Sequence, residues 1–104
     1  MEIDPAEVNI YRGGDSLQAR VGVDVQVDTA TGLVKLTHGL SLDLDAAAMQ
    51  KFGGAFRVES IPPELRIVQR GRRMGHFEIV ARQPMTPDRF QELANQIRLT
   101  PAEG

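Results

Sequence analysis

Apolar residues in this chain occur in short runs that glycine, proline and turn-forming residues interrupt every few positions. Only the segment after Thr86 carries a helical pattern long enough for a helix of more than one turn or two. Parallel strands need crossover connections of a dozen or more residues, which are usually helices. We therefore predict an α+β fold, with an antiparallel or mixed sheet of about six short strands and two helices.

The length of the chain favours a single domain. Two domains cut from 104 residues would each bury too little apolar surface to be stable. A hydrophobic fraction of 41% is ordinary for a globular protein and argues against disorder. We expect one compact domain over residues 1–104, with its core in residues 8–98.

The strand predictions rest on alternation and on β-branched residues. The clearest case is residues 21–27, where valine occupies every second position and predicts one buried face. Residues 28–32 read as a turn, so residues 33–37 are predicted to return as the second strand of a hairpin. The same criteria predict further strands at residues 8–12, 40–42, 55–61, 65–69 and 76–81.

Two helices are predicted from their end signals. Asp43 or Asp45 can cap a short helix over residues 46–52, which Gly53 ends. Thr86 is a predicted N-cap, and Pro87 suits the first helical position. The apolar stripe of this second helix consists of Phe90, Leu93, Ala94 and Ile97.

Composition excludes several function classes. The chain has no cysteine and only two histidines, so disulfides and cysteine-based zinc sites are excluded and a metal is not expected. A net charge of −2 gives no general attraction to nucleic acid or anionic membrane, and the single tyrosine offers little base stacking. No run reaches the roughly 18 apolar residues of a membrane span, and residues 1–5 lack the features of a signal peptide.

Several polar residues are candidates for a functional site. Arg12 closes a predicted strand before Gly13 and Gly14, where a cation could bind phosphate or carboxylate; the alternative is an ordinary surface arginine. His38 and Ser41 lie close enough to face one cleft, and the alternative is a turn histidine and a strand serine.

Glu78 lies inside a predicted strand, where a carboxylate is disfavoured unless it meets solvent or has a function. The turn at residues 70–75 contains three arginines and is either a contact surface or a solvated loop. As a hairpin tip, it should tolerate Arg72→Ala and Arg73→Ala at a cost of no more than about 0.5 kcal/mol.

Three of these segments resemble a known family in their order. Residues 10–14, 37–42 and 76–80 are similar to the three signatures of ADP-ribosyltransferase folds: a first-strand arginine, a serine or histidine motif and a late-strand glutamate. Residues 61–67, His76 with Phe77, and Pro84 with Met85 are more specifically similar to small interbacterial effector toxins delivered by type VI secretion. The resemblance covers about residues 8–98.

The resemblance implies that NAD is the substrate. Glu78 would then be the catalytic residue that stabilises an oxocarbenium-like centre during cleavage of the nicotinamide–ribose bond. Arg12 would hold the pyrophosphate or ribose, and His38 or Ser41 would shape the nicotinamide end of the cleft. Phe56 or Phe52 could stack on nicotinamide, with core packing as the alternative. The second acid that usually directs transfer to arginine is missing, because His76 stands at that position.

The implied activity is therefore ADP-ribosyl transfer to an unknown acceptor, or NAD hydrolysis. The toxin would be made in a bacterial cytoplasm without a signal peptide and delivered to the cytoplasm of a competitor cell. Its partner would be a cognate immunity protein, with no membrane and no nucleic acid involved. The alternative is a non-catalytic protein-binding module of the same fold, which the short chain and the basic turn favour.

Overall fold

The computed structural model describes residues 1–102, which form seven strands and two helices. In chain order the elements are β1 (Glu2–Ile3), β2 (Tyr11–Gly13), β3 (Leu40–Asp43), α1 (Ala46–Met49), β4 (Ala55–Ser60), β5 (Leu65–Gln69), β6 (His76–Ala81), α2 (Pro87–Ala94) and β7 (Arg98–Pro101). A short 3-10 turn, Gln50–Phe52, follows α1 directly.

The strands form one sheet in the order β1-β5-β6-β3-β2-β4-β7, and every neighbouring pair is antiparallel. The predicted sheet-dominated single domain with two helices is confirmed at this level. Sequence patterns missed the two edge strands. β1 has only two residues, and β7 ends at Pro101, a residue that sheets accept at an edge, where no partner needs its N–H.

The core lies between one face of this sheet and α2. Side chains of the middle strands alternate, so one apolar set points to the helix. This set and the helix residues that complete the core are Leu40, Leu42, Ile67, Phe77, Ile79, Phe90, Leu93, Ala94 and Ile97. We call this side of the sheet the apolar face.

Both helices begin where the sequence predicts. Thr86 accepts a hydrogen bond from Arg89 N at 3.1 Å, and Asp45 accepts one from Ala47 N at 3.0 Å. The second helix ends at Ala94, so Ile97 falls beyond it, although its side chain is still buried. None of the helices within residues 1–102 is long and apolar enough to cross a membrane.

The predicted strand at residues 21–27 is wrong. Val21 and Val23 are 57% and 63% exposed, and of this group only Val25 is fully buried. The chain turns here instead, because the carbonyl of Arg20 accepts three backbone N–H groups and the Asp24 carboxylate bonds Arg20 N at 2.8 Å. These local bonds replace the ladder that an extended segment would need.

Of the hairpin predicted over residues 21–37, the structure contains only the turn and one bridge beside it. Asp28 and Gly32 close the turn with a 2.7 Å backbone bond, and Gly32 has the positive φ of 73° that favours glycine. Pairing beyond the turn is limited to the bridge between Val27 and Val34. The segment therefore forms a loop beside the sheet and adds no strand to it.

Candidate functional site

The three strands that carry the sequence motifs lie side by side in the middle of the sheet. Glu78 is on β6, Ser41 is on β3 and Arg12 is on β2, with β3 between the other two. Ser41 stands directly opposite Glu78 in the register of the β3–β6 pair. The expectation that the strands of Arg12 and Glu78 are near neighbours is therefore confirmed.

The expectation that Arg12 and Glu78 share one concave surface is wrong. Paired residues of adjacent strands point to the same side, so one face carries Tyr11, Ser41, Asp43, His76 and Glu78; we call it the polar face. Arg12 follows Tyr11 in β2, so its side chain starts out on the opposite, apolar face. The physical reason is Ile10, which is completely buried in the core and shares this side with Arg12.

The Arg12 side chain instead forms hydrogen bonds to backbone carbonyl groups of two other segments. Its Nη1 donates to the Ser41 carbonyl at 3.0 Å, and its Nε donates to the Ser16 carbonyl at 3.0 Å. Burial lowers the pKa of Arg12, and the nearby Asp24 charge opposes that shift. The guanidinium therefore links β2 to β3 and to the loop that follows β2.

Phe56 lies away from Glu78, and Phe52 packs on the glycine pair that follows Arg12. Phe56 pairs with Arg12 in the register of β2 and β4, so it starts out on the same side as Arg12. Phe52 covers the glycine pair: a Cβ added at Gly13 would lie 2.7 Å from Phe52 Cβ. The space beside Gly13 is thus filled by the Phe52 side chain, and the space beside Gly14 by the Phe52 carbonyl.

Glu78 is the centre of a buried polar cluster. Its Oε1 accepts from Gly39 N at 2.9 Å, and its Oε2 accepts from Arg70 Nη1 at 3.1 Å. His76 Nε2 lies 3.0 Å from the same Oε2. Both oxygens act as acceptors, and only 6% of the Glu78 side chain is exposed.

His38 joins the cluster through Arg70. Its Nε2 lies 2.6 Å from Arg70 Nη2, and its Nδ1 lies 2.7 Å from Thr37 Oγ1. A guanidinium can only donate, so Nε2 is the acceptor and the proton of this neutral ring is on Nδ1. His38 and Ser41 thus belong to the same site: Ser41 stands beside Glu78, and His38 is connected to it through one arginine.

A second buried carboxylate lies further along the polar face. Asp43 accepts a hydrogen bond from Arg73 Nη2 at 3.2 Å and forms an ion pair with Arg73 Nε at 3.0 Å, and its side chain is 4% exposed. Asp45 N donates a second hydrogen bond to Asp43 at 2.8 Å. Sequence reasoning missed Asp43 and the two inward-turned arginines, Arg70 and Arg73. The sequence does contain a pattern that could have revealed them. Two strand segments, residues 40–43 and 76–81, each carry a carboxylate, and the turn between residues 69 and 76 is rich in arginine.

Four main clefts are found over residues 1–102, and none of them is lined by Glu78. One of about 370 Å³ touches the cluster through Arg70. Histidine, aspartate and glutamate side chains form no metal-binding group within the same range. Comparison of the chain with protein-family models, curated proteins and solved structures gave no match.

Proposed function

We propose that this chain is an NAD-directed toxin domain with an ADP-ribosyltransferase-like fold, which transfers ADP-ribose or hydrolyses NAD in the cytoplasm of a competitor bacterium. One observation carries the proposal: the three motif strands lie side by side, and they set Ser41 directly opposite Glu78. Successive segments are roughly 30 to 40 residues apart in the chain, so nothing local forces them to meet.

The site supplies a carboxylate for the reaction. Cleavage of the nicotinamide–ribose bond builds positive charge on the ribose, and a carboxylate held in a low-dielectric setting stabilises that charge. Glu78 is held in place by Gly39 N, Arg70 and His76. Substrate reaches it when Arg70 moves aside, because the Arg70 side chain is 40% exposed and lies just beyond β5.

The site of this proposal differs from the one expected from the motifs. Arg12 and Phe56 lie on the other side of the sheet and have no part in it. Ser41, which is exposed and has no side-chain hydrogen bond within residues 1–102, is the residue most open to substrate beside Glu78. His38 positions Arg70 and thereby acts on Glu78 indirectly.

A protein-binding module is the second candidate, and the burial of Glu78 favours it. A carboxylate whose two oxygens are both occupied by internal donors suits a structural role. In that case the cluster fixes the hairpin between β5 and β6, whose tip presents exposed Arg72 and the 71% exposed Met74 to a partner.

Growth of a bacterium that makes the chain in its cytoplasm separates the two functions. A toxin arrests growth, Ser41→Ala weakens the arrest, and a cognate immunity protein relieves it by binding. Ser60→Ala is the matched control, because Ser60 is an exposed strand serine away from Glu78. Normal growth with abundant folded protein would overturn the toxin proposal and leave the binding module.

A further inference from the structure

A cleft of about 370 Å³ lies beside the Glu78 cluster. Val68 pairs with Glu78 and Arg66 pairs with Val80, so alternation places Arg66, Val68 and Arg70 along the same side of β5. Both arginines line the cleft. Its full lining is Met1, Glu2, Leu36, Thr37, Arg66, Val68, Gln69 and Arg70.

The described residues do not satisfy the hydrogen-bonding capacity of the Arg66 side chain. Its Nε is buried and has no hydrogen-bond partner within residues 1–102. Its Nη1 lies 3.9 Å from Glu2 Oε1, which is beyond hydrogen-bonding distance. A buried donor without an acceptor destabilises the fold, so a ligand that brings an oxygen to it is favoured.

Arg70 has donors to spare. Two of its contacts go inward, to Glu78 and His38, while 40% of its side chain remains exposed. A guanidinium has five N–H groups in a rigid fork that suits phosphate oxygens. The N–H groups of Arg70 that do not contact Glu78 or His38 are therefore available to an anion in the cleft.

We propose that this cleft binds the diphosphate group of a nucleotide. Arg66 and Arg70 line the same cleft, and two guanidinium groups together offer enough donors to contact both phosphoryl groups of a diphosphate. The site rests on the proposed function only in naming NAD as the nucleotide. Glu2 also lines the cleft, and its ion pair with Arg82 at 2.6 Å offsets only part of the repulsion between its carboxylate and a bound anion.

Calorimetric titration of the full chain with inorganic pyrophosphate at low ionic strength tests the site. We expect pyrophosphate to bind at least about tenfold more tightly than orthophosphate. Arg66→Gln should weaken pyrophosphate binding about tenfold, and Arg66→Lys should weaken it less, because it keeps the charge but loses the fork. Glu2→Gln should strengthen binding about fivefold, since it removes a nearby negative charge.

Arg98→Gln is the matched control, because it makes the same charge change on β7, at the opposite edge of the sheet. Equal weakening by Arg66→Gln and Arg98→Gln would mean that only net charge matters and would overturn the proposal, as would absence of pyrophosphate binding to the folded chain.

Parallel titrations with ADP-ribose and NAD separate this site from the reaction. Binding of pyrophosphate and ADP-ribose through Arg66, without consumption of NAD, would uphold the cleft and overturn the proposed function. If the chain consumes NAD and Arg66→Gln has the same KM for NAD as the wild type, the proposed function is upheld and the cleft is overturned as the diphosphate site.

Discussion

Asp43 and Glu78 place two carboxylates on the polar face with only 4% and 6% of their side chains exposed. Each meets an arginine from the turn between β5 and β6, so the turn is fastened to the sheet at two points. From the sequence, a glutamate in a strand is expected either to face solvent or to have a function. It can also be buried against positively charged partners, but those partners are distant in sequence and cannot be recognised before the fold is known. Glu78 therefore supports the fold whatever its chemistry.

Arg73→Ala should destabilise the protein by about 1–2 kcal/mol, because it leaves the buried Asp43 carboxylate with only Asp45 N. The exposure of Arg73, 60%, keeps the cost below that of a fully buried pair. The limit of about 0.5 kcal/mol expected for a solvated turn applies only to Arg72→Ala. Urea unfolding of the two variants checks the difference, and equal midpoints would show that the Arg73–Asp43 pair contributes nothing.

The elements with complete local signals were predictable. α2 has an N-cap, a proline at its start and an apolar stripe, and each of these depends on neighbouring residues only. β3, β5 and β6 were also predicted closely. Residues 21–27 have a clean alternation of valines but no partner strand to bury one face against, and pairing partners are a property of the whole fold. β1 was not predicted for the same reason, because its two residues form a strand only by pairing with β5.

The junction of β3 and β6 leaves no room beside Gly39. A Cβ added there would lie 1.7 Å from the Ile79 carbonyl oxygen, and the backbone would have to move. The shift would also break the bond from Gly39 N to Glu78. Gly39→Ala should therefore cost about 3 kcal/mol or more.

Gly71→Ala is its control. Gly71 has open space around it but a φ of 85°, so alanine should cost only about 1 kcal/mol. Thermal unfolding of both variants measures the difference. A Gly39→Ala variant as stable as Gly71→Ala would contradict the close packing of β3 on β6.

We expect the stability of the edge strand β1 to depend on pH through Glu2. A hydrogen bond from Arg82 lowers the pKa of Glu2 below its usual value of 4.5. A lowered folded-state pKa gives stability that is present above pH 4.5 and is lost as the pH falls through the folded-state value. Urea midpoints measured between about pH 5 and pH 2.5 should fall less steeply for Glu2→Gln than for the wild type. Parallel curves would show that the Glu2–Arg82 bond does not stabilise the fold.

At the scale of the whole molecule, the sequence predicted which segments come together better than it predicted which side chains share a face. Glu78, Ser41 and His38 do converge, because their strands and loop meet in the middle of the sheet. Arg12 does not, since the face of a β2 residue depends on Ile10 filling the core, and a shift of one residue reverses every side chain. Arg70 was not predicted as a partner of Glu78, because the sequence shows only that it lies in an arginine-rich turn that is either a contact surface or a solvated loop.

Release of nicotinamide from NAD by the purified chain, with and without bacterial lysate, tests whether this arrangement performs chemistry. We expect wild-type protein to release nicotinamide, Ser41→Ala to release it at least about tenfold more slowly, and Ser60→Ala to match the wild type. Ser41→Ala is the cleaner variant, because Ser41 is exposed and its hydroxyl is not needed for the fold, whereas Glu78→Gln also disturbs the cluster. Folded wild-type protein that releases no nicotinamide under either condition would contradict the NAD-directed function.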